Sequence, residues 1–252
     1  MYGLLCVQQA LALSPVVLQV VAHLVHAGDV LAVDVIVKLV RKAFAKGGMD
    51  LDGDTTPYVG TKSKVKIART ASFNKFNKVT EQANLVIGVP GIDRNDVRRF
   101  QMTVLNAALG GGMSSRLFQE VREKRGLVYS TYSFSQQYAD TGVVGVYAGC
   151  QPKRLDAVRE VMSDVLADIA ANGITQEELE RAKGQVTGGT VLGLEDTSSR
   201  MSRIARNEMN NGFVPSVSDI LDEVNAVTLD QVRTLAHHVW SQEMQTVVVG
   251  PE

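Results

Sequence analysis

An arginine and a tyrosine seven residues apart are the strongest candidates for chemistry in this sequence of 252 residues. Arg122 lies in the last turn of a predicted short helix, and Tyr129 begins the predicted strand that follows Gly126. A guanidinium and a phenol at one corner can both donate hydrogen bonds to a carbonyl oxygen, or to the oxyanion that develops when that carbonyl is attacked. The alternative is a surface arginine whose charge only complements the helix dipole. The pair alone leaves both interpretations open.

A run of three glycines, Gly110, Gly111 and Gly112, precedes this pair. The run does not fit the phosphate-binding pattern Gly-x-x-x-x-Gly-Lys-Ser/Thr, and a helix rather than a strand is predicted before it, unlike in a dinucleotide-binding fingerprint. Residues without a Cβ adopt many conformations and let another chain approach closely. The loop is therefore either a contact surface for a partner chain or a plain connector between two helices.

Three more cations crowd the same stretch: Arg116, Lys124 and Arg125. We expect them to be solvated or paired with Glu120 and Glu123, because exposed charges of opposite sign on one helix commonly pair and contribute little.

The histidines do not predict a metal site in this chain. Neither His-Glu-x-x-His nor His-x-x-Glu-His, the zinc-peptidase patterns, occurs in the sequence. His23 and His26 have no acidic residue between them, and the adjacent His237 and His238 would point about 100° apart on a helix. A Gly-x-Ser-x-Gly nucleophile motif is also absent.

The composition excludes some partners and favours one compartment. A net charge of −1 gives no long-range attraction for nucleic acid or anionic lipid. Two distant cysteines, Cys6 and Cys150, indicate a reducing compartment, so we expect a cytoplasmic location. Residues 1–28 carry no Lys, Arg, Asp or Glu, but glutamines, histidines and Pro15 interrupt their apolar run. A membrane span or signal peptide is therefore not expected.

The elements that must position these residues form an α+β pattern. Strands are predicted at 84–88, 128–136, 143–148 and 246–250, and helices at 30–44, 93–109, 155–169, from Thr175, at 200–210, at 218–227 and from Thr228. Strands that follow one another, with the helices clustered, indicate a mostly antiparallel sheet with helices packed on one face. The polar, glycine-rich residues 46–66 are the best predicted linker.

The stretch LGGGMSSRLFQEVREKRGLVYSTYS, residues 109–133, resembles the C-terminal half of the insulinase/pitrilysin family of zinc metallopeptidases, in its processing-peptidase-like branch. The resemblance includes TEQANLVIGVPG at 80–91 and GLEDTSSRMSR at 193–203, and it covers about residues 75–250. Residues 26–44 are similar to the last strand and helix of the family's N-terminal half. We therefore divide the chain into 1–60, a divergent segment plus a strand–helix remnant of the preceding half, and 61–252, the C-terminal-half domain.

The resemblance implies a fold and a role. The family is a clamshell of two similar α+β halves that enclose a chamber for unfolded peptides. Its N-terminal half carries the zinc motif, and its C-terminal half supplies an Arg and a Tyr that hold the substrate carbonyl near the zinc-bound water. Arg122 and Tyr129 match that pair, and Gly110, Gly111 and Gly112 resemble a shortened form of the family's substrate-recognition loop. Since the zinc motif is absent here, the zinc would be carried by the missing half, and this chain would bind no cofactor.

Two functional hypotheses follow from the resemblance. The chain is either the substrate-binding half of a zinc endopeptidase, inactive until a zinc-bearing homologous half joins it, or a non-catalytic scaffold subunit of the same fold. A fragment without function is a third possibility. Without a partner half, the apolar face of the remnant helix, including Val33, Ile36, Val37 and Val40, should be partly exposed and prone to association.

Overall fold

The structure is a computed structural model that describes residues 33–48 and 73–251. The chain divides into two units, Met1–Lys62 and Ser63–Glu252. The strand expected before residue 30 lies outside the described residues.

A single described helix, α1 (Val33–Lys46), represents the first unit. The helix expected over 30–44 is therefore present. Val37 and Val40 are 44% and 40% exposed. The side chains of Val33 and Ile36 lie outside the described residues.

Among residues 73–251, five strands form one sheet. They are β1 (Phe73–Asn77), β2 (Ala83–Gly91), β3 (Val128–Gln137), β4 (Gly142–Cys150) and β5 (Gln245–Gly250). The strand order is β1-β5-β2-β4-β3. The β1–β5 pair is parallel, and the other three pairs are antiparallel.

The helices lie in layers on one side of this sheet. They are α2 (Arg99–Gly110), α3 (Leu155–Asn172), α4 (Gln176–Leu192), α5 (Thr197–Asn211), α6 (Val217–Ala226) and α7 (Leu229–Trp240), with a π-helical turn at Phe118–Glu123 and a 3₁₀ turn at Pro152–Arg154. Helices α2, α3 and α7 contact the strands, whereas α4 and α6 pack outside them against α2. None of the helices described is long and apolar enough to cross a membrane.

Strand alternation explains why the helices cover one face. Leu85, Ile87 and Val89 of β2 are at most 2% exposed, and the two residues between them are half-buried. Because successive side chains point to opposite faces, one face of β2 enters the core beneath the helices. Trp240 of α7 and Met162 of α3 fill that core from the helical side.

The α+β class, the mostly antiparallel sheet and the helices on one face are confirmed. The predicted starts of α4 and α7 at Thr175 and Thr228 are also confirmed, and each of these threonines forms a capping box with the residue three positions later. Two details differ. Helix α2 begins at Arg99 rather than Asp93, since Asp96 accepts a hydrogen bond from the Arg98 backbone at 2.8 Å and holds a turn there.

Strand β1 was not predicted from the sequence. All five of its residues are exposed, and FNKFN shows no apolar alternation. Its place depends on parallel pairing with β5 at the other end of the chain, which no local pattern reveals.

Candidate functional site

The corner that carries Arg122 is a π-helical turn closed by a glycine. Gly126 has φ +57° and donates to the Arg122 carbonyl at 2.9 Å, and Leu127 donates to the Val121 carbonyl at 3.1 Å. These two hydrogen bonds resemble those of a Schellman cap, but each spans one more residue, because the turn that they close is π-helical. Arg154 donates to the Gly126 carbonyl at 2.5 Å and fixes the corner from outside. The chain thus reverses tightly into β3.

Arg122 presents its guanidinium to solvent at this corner. Its Cζ lies 4.8 Å from the centroid of the Phe118 ring, one turn earlier. A guanidinium stacked on an aromatic face keeps its N–H groups available at the edge, and the stacking limits the conformations of a long side chain. Within the part of the chain that the structure describes, Arg122 forms no ion pair with a carboxylate.

The two cations that follow are neutralised locally. Glu120 pairs with Lys124 at 2.6 Å and with Arg125 at 2.7 Å. Hydrogen bonds from these two side chains lower the pKa of the Glu120 carboxyl. The expected pairing with Glu120 is confirmed for both cations.

Arg116 pairs elsewhere than expected. Its guanidinium binds Glu178 through two hydrogen bonds, one of them 2.8 Å from Nε to Oε1, and it also donates to Asp168 at 2.8 Å. Glu178 is the residue that closes the α4 capping box with Thr175. Arg116 therefore joins the loop after α2 to the ends of α3 and α4, and its role is structural.

Tyr129 is exposed because β3 bulges at that residue. Val128 pairs with Cys150 and Ser130 pairs with Gly149, so Tyr129 is the extra residue that has no partner in β4. A bulge re-aims the side chain that it carries, and bulges are frequent beside active sites. The side chain of Tyr129 is 76% exposed. The π-helical turn contacts β3, so Arg122 and Tyr129 lie on two adjoining elements.

Residues 22–186 match the family model described as "Peptidase M16 inactive domain". The chain belongs to the peptidase M16 family. The resemblance to zinc metallopeptidases seen in the sequence is thereby confirmed for the inactive, C-terminal type of domain.

Relatives of this M16 domain are longer proteins. An "Uncharacterized zinc protease" of Streptomyces coelicolor is 45% identical over 216 residues, which are 86% of this chain and 47% of that protein. The "Uncharacterized zinc protease YmxG" of Bacillus subtilis is 40% identical over 174 residues, 69% of this chain and 42% of that protein. The chain thus spans about half the length of the curated relatives it matches.

A solved structure shares the fold. The crystal structure of a peptidase M16 inactive domain from Pseudomonas fluorescens has a TM-score of 0.65 and 26% identity, covering 75% of this chain and 46% of that one.

The side chains that the structure describes in this M16 domain do not form a zinc site. Among the described residues, no group of three or more His, Cys, Asp or Glu side chains could hold a metal ion. His237 places Nδ1 3.1 Å from the Ala170 carbonyl and 3.1 Å from the Ser241 hydroxyl, which are ordinary hydrogen-bonding neighbours. We therefore assign no step to zinc on the described residues.

The three consecutive glycines that end α2 and begin the next loop, Gly110, Gly111 and Gly112, have different surroundings. Gly110 is the buried last residue of α2, and a Cβ there would lie 2.2 Å from the Ser133 backbone nitrogen of β3. Gly111 is exposed, with its carbonyl bound by Gln185 of α4 at 2.5 Å. Gly112 is half-buried. Only Gly111 and Gly112 are therefore open to contact with another chain.

Two features of the site were missed in the sequence. Phe118 supports Arg122, and its spacing of four residues on a helix is a signal that could have revealed it. The bulge that exposes Tyr129 has no such signal, because it is a mismatch in register between β3 and β4.

Proposed function

We propose that this M16 inactive domain is the substrate-positioning, zinc-free half of a two-part zinc metalloendopeptidase that cleaves unfolded peptides. It is inactive until a homologous zinc-bearing half joins it. One observation carries the proposal: of the four cations between residues 116 and 125, Arg122 alone has no carboxylate partner among the described residues, and its guanidinium is exposed beside the strand of Tyr129.

The chemistry of this pair suits a peptide carbonyl. Arg122 offers N–H donors and a positive charge, and Tyr129 offers an O–H donor. Both would donate to the carbonyl oxygen of the peptide bond and stabilise the negative charge that develops on it. The zinc of the partner half would supply an activated water. This chain's contribution is to bind and orient the carbonyl.

The relatives support a two-part arrangement. Their printed names call them zinc proteases, and about half of each one lies outside the match to this chain. A partner half of similar size is therefore the first place to seek the zinc ligands.

The test is reconstitution. The Streptomyces coelicolor relative contains a portion outside the matched 216 residues, and that portion is mixed with this chain and assayed on one unstructured peptide. We expect cleavage only from the mixture, with loss on chelation of zinc. Arg122→Ala and Tyr129→Phe should each lower turnover by about 10²–10³-fold, the usual cost of one oxyanion donor.

Lys124→Ala is the matched control, since it removes a neighbouring cation that already pairs with Glu120. An exposed pair contributes about 0–1 kcal/mol, so turnover should change little. Equal losses from Lys124→Ala and Arg122→Ala would mean that general electrostatic attraction, and not a positioned donor, explains the cluster. A stable complex without cleavage would instead support a scaffold subunit.

A further inference from the structure

A cleft of about 640 Å³ lies between the start of α2 and the segment that joins α5 to α6. Its volume is within the range of roughly 300–1,000 Å³ that is usual for small-ligand sites. One wall comes from residues 94–100 and the end of β3, and the other comes from α5, α6 and the residues between them. We call it the arginine cleft, after three of its lining residues, Arg94, Arg99 and Arg206.

The three arginines of the cleft have no acidic partner. None of them forms an ion pair with any side chain that the structure describes. Arg99 instead has its Cζ 4.7 Å from the centroid of the Phe100 ring, which leaves the N–H edge of the guanidinium available. The Nε atom of Arg94 is buried and has no hydrogen-bond partner among the described residues. A buried donor without a partner is costly, so a ligand that accepts from it would be bound favourably.

The acidic residues next to the first wall are engaged elsewhere. Asp96 pairs with Arg98 at 2.7 Å, and Asp93 accepts a hydrogen bond from the Asn95 backbone at 2.8 Å. Neither acid lines the cleft. The guanidinium groups of this wall are therefore available to a ligand.

The opposite wall carries two lining acids, Asp219 and Glu223. Asp219 accepts from the Ser216 backbone at 3.2 Å in the capping box that begins α6. Glu223 is exposed and forms no ion pair with a side chain that the structure describes. Three arginines and two carboxylates give the lining a net charge of +1. That charge matches one carboxylate better than a phosphate group, which carries about −1.5 to −2.

Helix α5 turns its polar side toward the arginine cleft. Three of its polar residues line the cleft: Arg206, Asn207 and Asn210. Its apolar residues are exposed instead, at 64%, 51% and 84% for Met201, Ile204 and Met209. A surface helix ordinarily does the reverse, with its apolar stripe toward the core. This orientation keeps the cleft open and lines it with hydrogen-bonding groups.

We propose that the arginine cleft binds a carboxylate of a peptide, with Arg94 and Arg99 as its principal donors. These two line the wall that has no acid, and a guanidinium matches the geometry of a carboxylate. The side-chain amides of Gln137 and Asn210 can both donate and accept, as the adjoining peptide backbone requires. Phe100 offers apolar contact to a neighbouring side chain of the peptide. Such binding goes beyond the proposed function, because it requires neither zinc nor the partner half.

The experiment is isothermal titration calorimetry of the full chain with three short acetylated peptides of alanine, serine and leucine. The first ends in a free carboxylate, the second has the same sequence and is amidated, and the third is amidated and has Asp as its last residue. We expect the first or the third to bind with a Kd on the order of 100 µM, and the second to bind at least about tenfold more weakly. The tighter of the two acidic peptides identifies the source of the carboxylate as the C-terminus or a side chain.

Three variants locate the binding in the arginine cleft. Arg99→Gln should weaken binding of the acidic peptide by about tenfold or more, because a hydrogen bond to a charged group is lost. Arg98→Gln is the matched control: it removes a neighbouring cation that pairs with Asp96 and does not line the cleft, so the Kd should stay within about twofold. Glu223→Gln removes a carboxylate from the lining and should tighten binding about two- to threefold, which lost folding could not produce.

Four outcomes would each overturn the proposal. They are no binding of either acidic peptide up to about 1 mM, equal affinity for the neutral amidated peptide, equal weakening by Arg98→Gln and Arg99→Gln, and weaker binding by Glu223→Gln.

Discussion

Gly110, the last residue of α2, and Gly112, two residues later, have unequal freedom to accept a side chain. A Cβ at Gly110 would lie 2.2 Å from the backbone nitrogen of Ser133, a residue that also ties β3 to α2 by donating to the Asn106 carbonyl at 2.8 Å. A Cβ at Gly112 would meet only the end of the Gln185 side chain, at 3.2 Å. Backbone cannot move aside as a flexible side-chain amide can, so of these two positions Gly110 is the one that requires glycine.

Gly110→Ala should therefore lower the free energy of unfolding by about 1–3 kcal/mol, the usual cost of overpacking. Gly112→Ala, two residues later, should change it by less than about 0.5 kcal/mol. Urea denaturation of both variants compares them directly. Equal stabilities would show that α2 and β3 separate easily at this crossing.

Arg122 shows what residue types and spacing can predict about a site. Its identity and its distance along the chain from Tyr129 identified both residues as candidates. The sequence could not show which cations are neutralised. In the structure Lys124 and Arg125 both form ion pairs with the same carboxylate, Glu120. That selection depends on side-chain geometry in the folded turn.

At the scale of elements, Arg116 connects three segments that are distant in sequence. Burial tends to raise the pKa of the Glu178 carboxyl, but hydrogen bonds from Arg116 and from the Thr175 backbone outweigh it and lower that pKa. The side chains of Arg116 and Glu178 are only 13% and 12% exposed. The pair therefore joins the loop after α2 to the start of α4 in a poorly hydrated place.

Arg116→Met should lower the free energy of unfolding by about 1.5–3 kcal/mol at neutral pH, the range for hydrogen bonds to charged groups. Because the folded-state pKa of Glu178 is lowered, its contribution is present above the ordinary value of 4.5 and is lost as pH falls below it. Wild type should thus lose stability more steeply than the variant below pH 4.5, measured by urea denaturation at several pH values.

Lys124→Met provides the comparison, since it removes an exposed ion pair of the same stretch. It should cost less than about 1 kcal/mol at neutral pH. If both variants had the same stability and pH slope, Arg116 would be no more than another surface cation.

The elements were predictable where the signal is local. The capping residues Thr175 and Thr228 and the apolar run that predicts a strand at 84–88 each depend on residues a few positions apart, and the structure contains both helix starts and the strand β2. Helix α5 was also expected, but its periodicity is the same whether the apolar side faces inward or outward. Its outward orientation, like the place of β1, is decided by contacts between distant segments.

On the scale of the whole molecule, the described parts of the two units differ in how far their apolar side chains are buried. In the second unit, β4 lies between β2 and β3, and Val144, Val146 and Ala148 are at most 2% exposed. In the first unit, α1 is a helix of 14 residues whose described apolar side chains include Val37 and Val40, both well exposed. Isolated helices of this length are marginal in water, and burial of an apolar face normally supplies most of their stability.

Amide hydrogen exchange on the chain alone should show this difference. We expect the amides of α1 to exchange orders of magnitude faster than those of β4, because most of the described side chains of α1 are already exposed and its local opening would cost little. Addition of the zinc-bearing half should slow α1 if that half covers it, whereas β4 should not change. Exchange as slow in α1 as in β4, in a chain shown to be monomeric, would mean that α1 is already buried and needs no partner to cover it.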